Sequence, residues 1–319
     1  MEIFIIIAIL FVIVFATVYI CFRMAFFVTK KQKQIKEFDI PPGKEYKPYR
    51  EEMLNFMKEV KKIPYKDMYI TSLDGLKLHA KFYEYKKGAP IEIMFHGYRG
   101  SAERDLCGGV QRCFSLGRSV LIVDQRGAGK SEGRIISFGV NESYDAVLWA
   151  EHAVKTFGED IKLILCGISM GAATVMMASN KKLPEQVVGI LADCGYTSAK
   201  EMIIKTIKEM KLPPEIMYPF VKLGAKVFGG FNLEENPPIE AIKQCKLPII
   251  FFHGEDDGFV PCEMSKRLYN ACNSAKQIVT VKGADHGLSY LLDKQGYLKE
   301  VADFFNNNGL KTEVKNAID

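Results

Sequence analysis

The chain begins with an apolar run that is long enough to cross a membrane. Residues 3–22 are apolar except for Thr17, and about 20 helical residues at ~1.5 Å each span the ~30 Å hydrocarbon layer of a bilayer. A secretory signal is the competing interpretation, but it needs a basic start and small residues at a cleavage site. Only Met1 and Glu2 precede the run, and residues 18–21 are bulky. The pattern therefore predicts an uncleaved transmembrane anchor within residues 1–28.

Apolar runs of strand length recur through the rest of the chain. An early alternating pattern over residues 68–85, with Asp74-Gly75 at its turn, predicts a β-hairpin. Helical spacing follows over residues 144–157 and after Gly171. Six further runs predict buried strands: 91–95, 120–123, 163–166, 187–192, 248–252 and 278–281. The length of the chain suits one sizeable domain with an appendage.

Two segments lie outside this strand-rich pattern. Residues 29–65 are charged and contain Pro41-Pro42, which predicts a linker, and residues 51–60 within it have apolar side chains at helical spacing. Residues 198–244 separate two predicted strands and predict a helical insertion. The sequence thus divides into an anchor (1–28), a linker with a short helix (29–65), a main domain (66–310) and a C-terminal tail (311–319).

Composition and charge narrow the class of protein. The chain has 43 Lys and Arg residues against 38 Asp and Glu, a net charge of +5, and this excess is too slight to indicate a nucleic-acid partner. Its 8 cysteines are scattered without a pattern, which favours a reducing compartment over a disulfide framework. Nothing in the sequence indicates an oligomeric state.

Basic residues follow the apolar run on its carboxyl side, namely Arg23, Lys30, Lys31, Lys33 and Lys36. The positive-inside rule places that side in the cytoplasm. We therefore expect a single-pass protein of the cell membrane whose main domain lies on the cytoplasmic face. The same lysines are also suited to contact anionic lipid headgroups.

Three short segments carry the candidate chemistry, and each follows a predicted strand. Ser169 is the centre of a Gly-x-Ser-x-Gly segment, Asp257 belongs to an acidic loop, and His286 precedes a glycine near the end of the domain. A serine, an acid and a histidine in this chain order match the catalytic triad of α/β-hydrolases, whereas chymotrypsin-like and subtilisin-like enzymes use other orders.

Over residues 69–305 the chain resembles a serine hydrolase of the α/β-hydrolase superfamily. The similarity is greatest to single-domain, prolyl-oligopeptidase-like enzymes and bacterial carboxylesterases, some of which are membrane-anchored. The resemblance implies an α/β-hydrolase fold, with a mostly parallel central sheet flanked by helices and a helical cap over residues 198–244. No propeller-like domain precedes the core, which argues against a true prolyl oligopeptidase.

The same resemblance implies roles for individual residues. The segment His253-Gly-x-x-Asp257-x-x-Val-Pro resembles the acid loop of this family, which favours Asp257 as the triad acid over Asp256. In this fold the oxyanion is bound by two backbone N–H groups, and the corresponding residues are Tyr98 and Met170. A metal site at the acids is disfavoured because no Cys/His cluster with ligand spacing accompanies them.

The remaining histidines and one glycine-rich segment receive structural interpretations. His79 is expected at the surface or at a sheet edge, and His96 and His253 are expected to shape loops. The segment 124–131 ends in Gly-Lys-Ser, but a P-loop needs a glycine where Asp124 stands. It resembles a structural turn after the fourth strand of many α/β-hydrolases.

The predicted activity is cleavage of a small-molecule carboxylic ester through an acyl-enzyme, with no metal or organic cofactor. Met210 and Phe220, in the apolar cap, are the candidate pocket residues for an acyl chain or an aromatic acid. A thioesterase or a lipid acyl hydrolase is the alternative, and a peptidase is disfavoured. A membrane-tethered scaffold that kept the fold without catalysis is the non-enzymatic alternative. The expected partners are the ester or acyl substrate and, through the N-terminal anchor, membrane lipid.

Overall fold

The structure is a computed structural model that describes residues 1–33 and 38–311. Lys36 and residues 312–319 of the predicted tail lie outside the described residues. Eight strands form one sheet in the order β1-β2-β4-β3-β5-β6-β7-β8. The strands are β1 (Lys66–Thr71), β2 (Lys77–Tyr83), β3 (Ile91–Phe95), β4 (Ser119–Asp124), β5 (Leu163–Ile168), β6 (Val187–Asp193), β7 (Ile249–Gly254) and β8 (Lys276–Val281).

The sheet is mostly parallel, as the sequence predicts. Strand β2 pairs antiparallel with β1 and with β4, and every other neighbouring pair is parallel. The strands β3 to β7 are mostly apolar and almost wholly buried, because helices cover both faces of the sheet. The carboxyl ends of the parallel strands therefore meet at one edge, where loops are free to carry polar side chains.

Thirteen α-helices and two short 3-10 helices are present among the described residues. The α-helices are α1 (Glu2–Ala25), α2 (Lys30–Lys33), α3 (Arg50–Lys62), α4 (Ala102–Asp105), α5 (Gly109–Ser115), α6 (Val140–Phe157), α7 (Met170–Ala178), α8 (Ala199–Glu209), α9 (Pro214–Val227), α10 (Pro238–Ala241), α11 (Cys262–Ala271), α12 (Ser289–Leu292) and α13 (Lys294–Asn307). Helices α6, α7 and α11 pack on one face of the sheet, around Trp149. Helices α5 and α13 pack on the other face, around Phe305. Helices α8 and α9 lie within the segment predicted as the cap.

Helix α1 is the one helix of the described ranges that is long and apolar enough to cross a membrane, with a mean hydropathy of 3.2 over its most apolar window. A signal sequence passes the same test of length and composition. Residues 2–16 of helix α1 are exposed, whereas Val18, Cys21 and Phe22 are buried. Val18 and Phe22 lie against helix α9, where an added Cβ on Gly224 would come within 3.0 Å of each of them. The carboxyl end of α1 is therefore docked on the cap.

A buried ionic cluster links the centre of the sheet to helix α5. The Glu92 carboxylate on β3 accepts hydrogen bonds from Arg112 and Arg118, and all three side chains are almost completely buried. Burial acts to raise the pKa of Glu92, but the two guanidinium groups outweigh it and lower that pKa to about 2. The cluster is stable only as a set, because each charge is compensated by the others.

We expect Glu92→Gln to lower the free energy of unfolding by about 3–5 kcal/mol, because two guanidinium groups would lose their buried counter-ion. The matched control is Glu59→Gln, which removes the same charge from a pair with Lys62 in which both side chains are more than half exposed. This control should change the stability little. Thermal unfolding of the full chain in detergent measures both, and equal shifts for the two variants would contradict the assignment.

Candidate functional site

Ser169 lies in a sharp turn between strand β5 and helix α7. Its backbone has φ 57° and ψ −116°, in the left-handed half of conformational space that residues with a Cβ rarely adopt. The Ser169 N–H donates to the Asp193 carbonyl at 2.8 Å, which ties the turn to the end of β6. The side chain is thereby held at the carboxyl edge of the sheet and at the amino end of α7.

Two glycines make this turn possible because strand, turn and helix backbones are in direct contact. A Cβ on Gly167 would lie 2.1 Å from the carbonyl carbon of Gly171. A Cβ on Gly171 would lie 2.0 Å from the carbonyl oxygen of Phe95 at the end of β3. Real side chains do not tolerate such separations, so the spacing of the two glycines around Ser169 is required by the packing.

The structure brings Ser169, His286 and Asp257 into one hydrogen-bonded chain. Ser169 Oγ is 3.0 Å from His286 Nε2, and His286 Nδ1 is 2.7 Å from Asp257 Oδ2. The three residues come from the loops after β5, β8 and β7, which end at the same edge of the sheet with β6 between β5 and β7. The Phe259 ring contacts the His286 ring edge-on at 5.1 Å. His286 is thus aligned between a hydroxyl group and a carboxylate.

Asp257 is held as a carboxylate by its surroundings. Its Oδ1 accepts hydrogen bonds from the N–H groups of Phe259 and Val260, at 2.9 and 2.7 Å. Burial acts to raise the pKa of Asp257, but hydrogen bonds from His253 and His286 outweigh it and lower that pKa to about 2. Asp257 is therefore ionised at neutral and mildly acidic pH. Asp256, the alternative acid, is exposed to solvent.

His253 supports this carboxylate from inside the protein. Its Nε2 is 3.2 Å from Asp257 Oδ2 and 2.8 Å from the Val260 carbonyl, while its Nδ1 is 2.6 Å from Ser265 Oγ. The side chain is completely buried. These contacts agree with the loop-shaping role expected from the sequence, and they add a direct contact with Asp257 that the sequence did not predict.

The loop after β3 lies beside Ser169. A Cβ on Gly97 would be 3.6 Å from the Ser169 Cβ. The Tyr98 N–H belongs to this loop and the Met170 N–H to the first residue of α7. Across residues 1–33 and 38–311, neither group donates to another protein atom. His96 Nε2 accepts from the Gln125 N–H, which anchors the loop to the end of β4.

The Tyr98 backbone lies in the loop beside Ser169, whereas its side chain points toward helix α1. Its hydroxyl donates to the Ala25 carbonyl at 2.8 Å, and burial raises its pKa to about 12. Arg99, with φ 52°, donates to the Met24 carbonyl at 2.7 Å and to the Phe27 carbonyl at 3.3 Å. The loop beside Ser169 thus satisfies carbonyl groups at the carboxyl end of α1. Sequence reasoning missed this connection because neither motif nor periodicity reports it.

One group of potential metal ligands exists in the described part of the chain, and it overlaps the Ser169 site. Ligand atoms of Cys194, Asp257 and His286 lie within 4.8 Å of one another. Burial raises the pKa of the Cys194 thiol well above its ordinary value. Because the thiolate is the form that binds metals, this group is poorly suited to hold one.

Two cavities meet at Ser169. A cavity of about 310 Å³ lies under the linker, between Ser169 and polar side chains that include Tyr46, Arg104 and Asp105. Tyr46 also donates to the His286 carbonyl at 3.0 Å, so the linker contacts the site directly. The proline-containing linker sequence carries no motif that predicts this contact.

The second cavity, of about 350 Å³, is apolar and runs from Ser169 between helix α1 and the cap. Met210, a predicted pocket residue, lines this cavity. Phe220, the other predicted pocket residue, is not among the lining residues and packs instead in the hydrophobic cluster of the cap. Its place is set by the docking of α9, which the sequence pattern does not report.

The prediction for His79 is wrong in one respect. His79 lies on β2 but is buried, with Nδ1 2.8 Å from Asp124 Oδ2 and Nε2 2.6 Å from Asp67 Oδ1. Strand β1 covers β2, so the alternating pattern does not mark an exposed edge. Asp124 also accepts from the Lys130 N–H at 3.0 Å. The segment 124–131 is thus a turn closed by its own side chains.

Comparisons with known proteins agree with this architecture. A family model described as serine aminopeptidase, S33, matches residues 90–236. The chain is 27% identical over 199 residues to the uncharacterized protein YqkD of Bacillus subtilis. The matched region is 62% of this chain and 65% of YqkD, slightly less than two thirds of the length of that relative. It is 27% identical over 235 residues to protein bem46 of Schizosaccharomyces pombe, covering 72% of this chain and 71% of that protein.

Solved structures show the same fold. The Pyrococcus furiosus esterase Pf2001 matches with a TM-score of 0.63 at 21% sequence identity, over 86% of this chain and 99% of the esterase. The esterase EaEST of Exiguobacterium antarcticum matches with a TM-score of 0.56 at 13% identity, over 76% of this chain and 100% of that chain. At these identities the likeness establishes the fold, and the fold class predicted from the sequence is confirmed.

The strained turn makes a prediction about stability. We expect Ser169→Gly to be more stable than Ser169→Ala by about 1 kcal/mol, or ~2 °C in Tm, because glycine relieves a strain of roughly 1–3 kcal/mol at the cost of greater unfolded-state entropy. Both variants lose the hydroxyl, so their difference isolates the backbone. Thermal unfolding of the full chain measures it, and a less stable glycine variant would contradict the strain.

Proposed function

We propose that this chain, a member of the α/β-hydrolase superfamily by its fold, is a serine hydrolase that cleaves carboxylic esters through an acyl-enzyme. The observation that carries the proposal is the hydrogen-bonded chain Ser169–His286–Asp257 at a strained strand-to-helix turn. In this arrangement a hydroxyl group faces a base that a carboxylate orients, which is the requirement for an activated serine nucleophile.

In the first step, Ser169 Oγ attacks the ester carbonyl carbon while His286 Nε2 takes the hydroxyl proton. The carbonyl π electrons move to oxygen, and the N–H groups of Tyr98 and Met170, which no protein atom accepts from within the described ranges, bind this oxyanion. Asp257, ionised because its pKa is near 2, stabilises the imidazolium that forms. His286 then gives the proton to the leaving alcohol as the carbon–oxygen bond breaks, which leaves an acyl-Ser169 ester.

In the second step, His286 takes a proton from water, and the hydroxide oxygen attacks the acyl-enzyme carbonyl. Collapse of the tetrahedral intermediate returns that proton to Ser169 Oγ and releases a carboxylic acid. The ordering of the imidazole by Asp257 and of Asp257 by His253 serves both steps.

The shape of the site supports an ester with an apolar acyl part. Both cavities are lined mainly by apolar side chains, but the one under the linker carries more polar groups, among them Tyr46, Arg104 and Asp105. An acyl chain fits the cavity between α1 and the cap, and a leaving alcohol fits the cavity under the linker. A thioester would react by the same steps. Because the matching family model is described as a serine aminopeptidase, an aminoacyl amide is tested as a comparison substrate.

We further propose that helix α1 anchors the protein in the cell membrane with the domain on the cytoplasmic face. The exposed apolar surface of residues 2–16 supports the anchor, and the basic residues after it, such as Arg23 and Lys30, support the orientation. Protease added to intact cells should leave the domain uncut, while the same protease should digest it in broken cells. Digestion of the domain in intact cells would contradict the proposed orientation and place the domain outside the cell.

Activity should depend on Ser169 and strongly on Asp257. With p-nitrophenyl acyl esters of graded chain length and the full chain in detergent, we expect Ser169→Ala to abolish turnover. Asp257→Asn should lower kcat by about 10⁴-fold, because the amide cannot orient and stabilise the imidazolium. The matched control is Asp256→Asn, an exposed neighbour in the same loop, which should retain wild-type kcat.

The outcomes separate the proposal from its rivals. If Ser169→Ala turns over at the wild-type rate, another residue is the nucleophile. If Asp256→Asn loses kcat and Asp257→Asn does not, Asp256 is the triad acid. Acyl-thioester and aminoacyl p-nitroanilide substrates are measured beside the esters. A protein that labels with a serine-reactive fluorophosphonate but prefers the anilide is a peptidase, and a folded protein that neither labels nor turns over any substrate is a scaffold.

A further inference from the structure

We propose that the substrate is a long-chain lipid ester resident in the membrane, whose acyl chain reaches Ser169 sideways through the groove between helix α1 and the cap. The anchor is then one wall of the acyl-binding site as well as a tether. This inference rests on the proposed ester hydrolase function. It adds the substrate class, the route of entry and a binding role for α1.

The groove is continuous from the membrane helix to the nucleophile. Ser169 lies at its inner end, Thr17, Ile20 and Met24 of α1 form one wall, and Met202 and Met210 are on the cap side. Its other lining residues are also mainly apolar, and its volume of about 350 Å³ falls in the range of small-molecule sites. An extended hydrocarbon chain suits this shape and this chemistry.

Helix α1 is fixed in this position by three kinds of contact. Gly224 of α9 lets the two helices approach closely, because a Cβ there would lie 3.0 Å from Phe22 Cβ. The Phe228 ring lies 5.3–5.6 Å from three rings of α1, those of Phe15, Tyr19 and Phe22. The loop beside Ser169 binds the last carbonyl groups of α1. The groove wall is therefore ordered by the same loop that carries the proposed oxyanion donor.

The length of free helix places the groove mouth in the hydrocarbon layer. Residues 2–16 of α1 form its longest unbroken stretch of exposed side chains, with Phe15 contacting the cap through Phe228, and 15 residues at about 1.5 Å each cover roughly 22 Å of the ~30 Å layer. The docked part of α1 must supply the remaining ~8 Å, so the cap that surrounds it lies at membrane depth.

The cap has a surface suited to that position. Large apolar side chains on and after helices α8 and α9 are about 39–59% exposed, although they belong to a folded domain: Met210, Leu212, Ile216, Leu223 and Val227. Exposed apolar patches of this kind mark contact with a membrane or a partner. Their position on α9, the cap helix that packs against α1, and just after α8 favours the membrane. A lipid chain in the same leaflet then faces the groove directly.

The test uses the full chain in phosphatidylcholine nanodiscs with the palmitoyl and acetyl esters of 4-methylumbelliferone. Met24→Trp and Ile20→Trp fill the groove from half-exposed positions on α1, and each should lower the ratio of palmitoyl to acetyl turnover by at least about tenfold. The matched control is Val12→Trp, which puts the same side chain on the exposed part of α1. Its ratio should equal that of the wild type.

An unchanged ratio in both groove variants would overturn the acyl groove while leaving the esterase intact. If the wild-type protein shows no Ser169-dependent hydrolysis of the acetyl ester, the proposed function is overturned. A second measurement then tests the groove by itself. Ser169→Ala protein, which does not turn over, is irradiated with a phosphatidylcholine that carries a mid-chain diazirine. We expect adducts on Met202 and Tyr196, buried groove residues, and their loss in the double variant with Met24→Trp. Adducts confined to residues 2–16 would overturn the inference.

Discussion

The direct contact of three backbones around Ser169 is the constraint on which the rest of the site depends. Strand β5, the start of α7 and the end of β3 approach so closely that neither Gly167 nor Gly171 has room for a Cβ. This contact holds Ser169 at positive φ and directs its hydroxyl to His286. It also brings the loop after β3 beside the serine, and the hydrogen bond from the Ser169 N–H adds the end of β6. The geometry of three strand ends and of the start of α7 thus follows from the absence of two side chains.

The parts that the sequence predicted are those that local patterns encode. Buried strands are visible as apolar runs, and Ser169, Asp257 and His286 each follow such a run directly, so a parallel sheet brings them to one edge. The parts it did not predict depend on which surfaces meet. His79 is buried because β1 covers β2, Phe220 faces the cap interior because α9 docks on α1, and Tyr46 reaches His286 from the linker across more than 200 residues. No periodicity in the sequence reports these contacts.

The docking of α1 gives this apolar helix a place in the architecture. A helix that only tethers a domain needs no specific contacts with it, yet the carboxyl half of α1 is packed against Gly224 and Phe228 and its last carbonyl groups are bound by Tyr98 and Arg99. The helix, the cap and the loop beside Ser169 form one packed unit around an apolar cavity. The cavity under the linker lies on the other side of the serine and carries Tyr46, Arg104 and Asp105 on an otherwise mainly apolar lining, so the two halves of an ester would meet different surroundings.

The buried cluster of Glu92, Arg112 and Arg118 has a consequence for how this protein can diverge. Each of the three is compensated by the others in a place that solvent does not reach, so a single replacement passes through an intermediate with an unpaired buried charge. Apolar residues of similar volume would satisfy the same space only if they replaced the whole set. Evolution at these positions is therefore expected to be concerted, with homologous chains keeping all three charges or none.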